Sequence, residues 1–201
     1  MLSACIIYIP GSAGNLLVRC ISLDDISVPY GLALTPEDKF KEYNNWNSSN
    51  WISSEENLEI DYMTGKSDFF VHETSDTKLI HRLHPDQFVD GARNLWSGDY
   101  QWKNIIIINP DNEKIIKELA STKRTDMVHN SLFAQQMHLL KPLMNTATYV
   151  LNFTDMLYWD TFDEHVKNLC TILDVKYYND YVKQLWGNWY KETINLVELP
   201  K

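Results

Sequence analysis

The 201 residues are 44% apolar, 12% aromatic and 22% charged, a make-up that excludes a disordered or collagen-like chain and suits one globular domain over residues 1–201. With 27 acidic against 18 basic residues the formal charge is -9, the wrong sign for a protein that gains affinity by neutralising many phosphates, so duplex nucleic acid is not an expected partner. The longest aliphatic run, Ile105 to Ile108, falls far short of the roughly 20 apolar residues of a membrane span. Pro10, Gly11 and Ser12 break the N-terminal apolar run too early for a signal peptide, so a cytoplasmic location is expected.

Ala4 to Ile9 reads as a buried strand, stopped by Pro10 and Gly11. Leu16, Leu17, Cys20, Ile21 and Leu23 then recur at helical spacing, so strand, tight turn and helix follow in order. Thr35 and Pro36 form an N-cap and first-turn proline, with Glu37 and Asp38 at the positive end of a short helix through about Tyr43. Asn44 to Asn57 is rich in Asn, Ser and Trp and reads as an extended loop. Asp68 to His72 and Lys78 to Leu83 are strand candidates, and Pro85 opens a helix carrying Phe88, Val89, Ala92 and Leu95.

Asn104 to Asn109, with four consecutive isoleucines, predicts a central strand covered on both faces. A helix is expected from Pro110 with Ile115, Ile116 and Leu119 inward, and a longer one over Asp126 to Met144. Ala147 to Leu151 is the last predicted strand. Thr161 and Glu164 read as a capping box for a helix with Phe162, Val166, Leu169, Cys170 and Leu173 on one stripe. The final helix, about Tyr178 to Leu196, is expected to bury Tyr181, Val182, Leu185 and Trp189. The pattern predicts an α/β fold with a mostly parallel sheet and helices on both faces. Ligands of such sheets bind outside the carboxyl ends of the strands, here just after Ile9, Leu83 and Ile108.

Four groups of residues have chemical potential. In the segment Pro10-Gly11-Ser12-Ala13-Gly14-Asn15-Leu16, small residues let the backbone approach an anion, and the amides opening the next helix point at it. Ser12, Asn15 and Arg19 can add side-chain donors. The Lys-Ser or Lys-Thr pair of a nucleoside-triphosphate loop is replaced by Asn15-Leu16. Without a ligand the same segment is a tight strand-to-helix turn. The second group is His81, Arg82 and His84 at the end of a predicted strand, with His72 and Glu73 on the strand before. A histidine there is placed to take a proton from a substrate hydroxyl. The spacing is not that of a zinc site, so no metal is expected.

Lys114, Lys117, Lys123 and Arg124 form the third group, alternating with Asp111, Glu113 and Glu118 as a solvated helix face does. The fourth is aromatic: Trp46, Trp51, Tyr62, Trp96, Tyr100 and Trp102, suited to lining a pocket or to packing. Cys5, Cys20 and Cys170 are odd in number, scattered and set in apolar patterns, which predicts buried free thiols.

The run Tyr8-Ile9-Pro10-Gly11-Ser12-Ala13-Gly14-Asn15-Leu16-Leu17 resembles the P-loop-like donor motif of the sulfotransferase family. A strand with an Asp-containing turn (Tyr149 to Leu157), a helix ending in Leu-Asp-Val (Phe162 to Val175) and a Trp-bearing terminal helix extend the likeness over most of the chain. It is particularly similar to small sulfotransferase-like proteins of tailed phages and marine bacteria. The resemblance implies a P-loop NTPase-like three-layer sandwich and transfer of a sulfuryl group from 3'-phosphoadenosine 5'-phosphosulfate, the donor cosubstrate, to a hydroxyl of a small molecule or glycan. Gly11, Ser12, Ala13, Gly14, Asn15, Leu16 and Arg19 would bind the donor, and His84 or His81 would be the catalytic base. The chain has Gly11 where the family has Lys or Arg. After the central strand it lacks the family's Arg, and Ile116 stands near the family's Ser. A family member that binds an anion or a partner without catalysis, and a P-loop kinase of a small metabolite, are the rival readings.

Overall fold

In a computed structural model, the residues described are 2–24, 27–28, 35–43, 78–86, 89, 102–123 and 130–194. The strands are β1 (Leu2–Ile7), β2 (Ser27–Val28), β3 (Lys78–Leu83), β4 (Trp102–Asn109) and β5 (Tyr149–Asn152), and they lie in the order β2-β3-β1-β4-β5. Every pairing is parallel. The helices are α1 (Gly14–Ile21), α2 (Pro36–Tyr43), α3 (Glu113–Lys123), α4 (Asn130–Leu143), α5 (Trp159–Leu173) and α6 (Asn179–Thr193). The protein is α/β, as the alternating pattern predicts.

The isoleucine strand is an interior strand of the sheet, next to the middle strand β1. Ile106, Ile107 and Ile108 are buried, and β4 pairs with β1 on one side and β5 on the other. Burial on both faces of a parallel strand demands this unbroken apolar run. On the helices the apolar stripes face inward: Leu16, Leu17, Cys20 and Ile21 of α1, Phe162, Val166, Leu169 and Leu173 of α5, and Val182, Leu185 and Trp189 of α6 are all buried. These three helices pack on one another. Trp186 ties α6 to the turn after β5 by donating its indole N–H to the Met156 carbonyl at 2.9 Å.

Local signals read correctly where nothing distant competes. The Thr35 hydroxyl accepts the Asp38 N–H at 3.2 Å and donates to the Asp38 carboxylate at 2.7 Å, so α2 starts where its cap predicts. Five expectations need correction. The last strand is Tyr149–Asn152, starting two residues later than Ala147, and Tyr181 of α6 is half-buried and not part of the buried core. The helix after β4 starts at Glu113 and not at Pro110, because Asn112 caps it through its side chain to the Ile115 N–H, while the Asp111 carboxylate accepts the Thr154 N–H. Thr161 and Glu164 do not form a capping box. The helix starts at Trp159, which puts Thr161 inside its first turn, where the hydroxyl donates to the carbonyls of Asp155 and Tyr158. The opening strand is Leu2–Ile7, ending two residues earlier than the apolar run. The predicted strand Asp68 to His72 and the loop Asn44 to Asn57 lie outside the described residues.

Among the described residues no helix is long and apolar enough to cross a membrane. Lys117 pairs with Glu113 at 2.5 Å and Lys114 is exposed, so this stretch of α3 is a solvated face. Cys5, Cys20 and Cys170 are buried and free. Burial pushes the Cys20 thiol well up and that of Cys170 up to about 12, so neither carries thiolate near neutrality. A colorimetric disulfide reagent at pH 8 is therefore expected to titrate no thiol in the native protein and all three after denaturation. A thiol that reacts at once in the native state would contradict this packing.

Candidate functional site

The turn between β1 and α1 is built on backbone that ordinary residues resist. Gly11 has φ +90°, and a Cβ there would lie 2.4 Å from the Ile116 carbonyl oxygen of α3. Only glycine combines that left-handed conformation with that approach. Ala13, at φ 61°, is the N-cap residue of α1. Gly14 opens the helix beneath the Tyr8 ring, where a Cβ would come within 2.3 Å of the ring carbons. Tyr8 lies over the turn and donates its hydroxyl to Asn15 Oδ1 at 3.1 Å.

A cavity of about 140 Å³ opens at this turn, lined by Tyr8, Gly11, Ala13, Gly14, Asn15, Leu16 and Arg19 with Leu119, Trp189 and Thr193. Six of the seven residues expected to bind the donor are therefore together around one space. Ser12 is the exception. Its N–H and its hydroxyl both turn back to the Ile9 carbonyl, at 3.1 and 2.6 Å, so this buried serine braces the turn and does not line the cavity. Arg19 is buried and is the residue bringing positive charge to the lining.

The two histidines part company by strand register. His81 pairs with Cys5 inside the sheet, about 10 Å along the strands from Tyr8 at roughly 3.3 Å per residue. His84 follows the end of β3 and stands beside Tyr8, their ring centroids 4.8 Å apart. Its Nδ1 lies 3.0 Å from the Tyr8 carbonyl oxygen. A carbonyl can only accept, so Nδ1 carries the proton and, in the neutral ring, Nε2 carries the lone pair. That tautomer is the one a general base needs.

Tyr8, Leu119, Trp189 and Thr193 escaped sequence reasoning as wall residues. Tyr8 reads as part of an apolar strand, and Trp189 and Thr193 are one turn apart on a helix whose pattern signals only burial. His72, Glu73, Trp46, Trp51, Tyr62, Trp96, Tyr100 and Arg124 lie outside the described residues. Among the described residues no group of three His, Cys, Asp or Glu is placed to hold a metal. No protein-family model matches the chain, nor does any curated protein or solved structure.

The strain at the turn sets an expectation. Gly11→Ala should cost at least roughly 1–3 kcal/mol for the left-handed backbone, with the clash at Ile116 added. Gly187→Ala, where a Cβ meets nothing within 4 Å inside α6, should stabilise by about 1 kcal/mol. Urea unfolding of the two variants measures both; equal midpoints would refute the close approach at Gly11.

Proposed function

We propose that the cavity at the β1–α1 turn receives the oxyanion group of a small ligand, and that the activity is sulfuryl transfer from 3'-phosphoadenosine 5'-phosphosulfate to a hydroxyl acceptor on a P-loop-like fold. The observation that carries the reading is the meeting of Arg19, Asn15 and the first residues of α1 around one space, with His84 held against the wall residue Tyr8. Amides of a helix N-terminus with a cation nearby suit an oxyanion. At about 140 Å³ the space takes one such group and not the adenosine, since whole drug-sized ligands occupy roughly 300 Å³ or more. The nucleoside would extend beyond this lining.

In the reaction His84 Nε2 takes the acceptor's hydroxyl proton as its oxygen bonds to sulfur. The bond from sulfur to the bridging oxygen breaks, and 3'-phosphoadenosine 5'-phosphate leaves. Positioning and charge stabilisation do most of the work in such transfers. Arg19 supplies the charge that the family places after the motif proline.

A specific observation favours a second reading, binding without turnover. Position 11 has no room for any side chain, because a Cβ there would lie 2.4 Å from the Ile116 carbonyl oxygen. The family's cation is thus sterically shut out and not merely substituted.

The decisive measurement is the melting temperature with 3'-phosphoadenosine 5'-phosphate, expected to rise by several degrees at millimolar ligand. Absence of a shift overturns both readings, and protection by ATP with magnesium alone selects a kinase. A shift without sulfuryl transfer to any hydroxyl acceptor selects the second reading. If transfer occurs, His84→Asn, whose amide can still donate to the Tyr8 carbonyl, should slow it by roughly 10²–10⁴-fold while leaving the shift in place.

A further inference from the structure

A second set of polar side chains lies around β5, away from the cavity. Tyr149 Oη is 2.8 Å from His165 Nδ1, and His165 Nε2 is 3.4 Å from Asp155 Oδ2. The Tyr149 and His165 rings meet edge to face at 84°. Asp155 is itself oriented, because its Oδ2 accepts the Asn152 side-chain N–H at 3.1 Å, and Asn152 Oδ1 in turn accepts from Asn109 at 2.9 Å. The side chains of His165 and Asp155 are 22% and 34% exposed and Tyr149 is half-buried, so none of the three is sealed in the core.

The proton count has one economical solution. With Asp155 ionised and His165 neutral, Nε2–H donates to the carboxylate, and Nδ1 presents its lone pair to the Tyr149 hydroxyl. Each hydrogen then has an acceptor. A hydroxyl within hydrogen-bond reach of a base, and that base oriented by a third group, is the general signature of an activated nucleophile. We infer that Tyr149, His165 and Asp155 form a second reactive centre, in which the Tyr149 oxygen attacks hard tetrahedral electrophiles of the sulfonyl or sulfuryl class. This centre does not depend on the function proposed for the β1–α1 turn.

The step balances with an electrophile carrying a leaving group. The Tyr149 O–H bond breaks and its proton moves to His165 Nδ1, as the phenolic oxygen bonds to sulfur. The sulfur's bond to the leaving group breaks, and the imidazolium, held by Asp155, returns its proton to water. Asn152 and Asn109 are positioning residues that fix the carboxylate.

An aryl sulfonyl fluoride tests this with fluoride as the leaving group. Tyr158, 63% exposed, is an internal control in the same folded molecule. Peptide mass spectrometry over a time course is expected to show Tyr149 labelled at least tenfold faster than Tyr158 despite its lower exposure. His165→Gln should bring Tyr149 down to the Tyr158 rate, and Asp155→Asn should lower it several-fold. Labelling of Tyr149 no faster than Tyr158 in the unmodified protein overturns the proposal whether or not the variants fold, and leaves these side chains as a packing latch. A His165→Gln protein that melts normally and labels Tyr149 at the original rate overturns the role of the base.

Discussion

The close approach of Gly11 to the Ile116 carbonyl, which leaves no room for a Cβ, sets the arrangement at the carboxyl edge of the sheet. It brings the β1–α1 turn against α3, whose Leu119 joins Arg19 in lining the cavity. Were position 11 any residue with a Cβ, either the turn would lift or α3 would shift. The same tightness leaves Ser12 pointing inward, where its hydroxyl secures the Ile9 carbonyl that the end of the strand would otherwise leave without a ladder partner.

Tyr8 couples this turn to the next strand. Its ring covers Gly14, its hydroxyl reaches Asn15, and its carbonyl holds His84. One residue thus joins the helix N-terminus to the end of β3 through both its side chain and its main chain. Parallel pairing makes this possible, because Ile7 aligns with Leu83 and the residues that follow leave the sheet side by side. The crevice outside such strand ends is where open α/β sheets gather ligands.

How much of this was legible depends on how local each cause is. β3 spans Lys78–Leu83 as its short apolar pattern predicts, and α2 follows from Thr35 and Pro36. The tight turn at Gly11 to Gly14 was recognisable from the small size of its residues after a buried strand, since the backbone demand there is written in composition. What failed was decided elsewhere in the chain. Asp111 is drawn to the Thr154 N–H, and Asn112 takes the cap that Pro110 promised. The letters at 161 and 164 satisfy a capping pattern, yet Tyr158 has already started the helix. Neither His84 nor His81 could be preferred from sequence, because only strand register separates them. Tyr8 gives no sign in an apolar run that it will roof a glycine six residues on.

The polar side chains at the strand ends form two separate sets for a geometric reason. The sheet interior is saturated with aliphatic side chains from β1 and β4, so pairs that need hydrogen bonds collect where strands end or turn. Tyr8, Asn15 and His84 occupy the β3–β1 side, and Asn109, Asn152, Asp155, His165 and Tyr149 the β4–β5 side. From the end of β3 to the end of β5 is three strand spacings, about 14 Å at roughly 4.8 Å each. Substitutions that far apart act nearly independently where they share no partner. Tyr149 at β5 and His84 after β3 therefore belong to separate constellations, each oriented by its own neighbours.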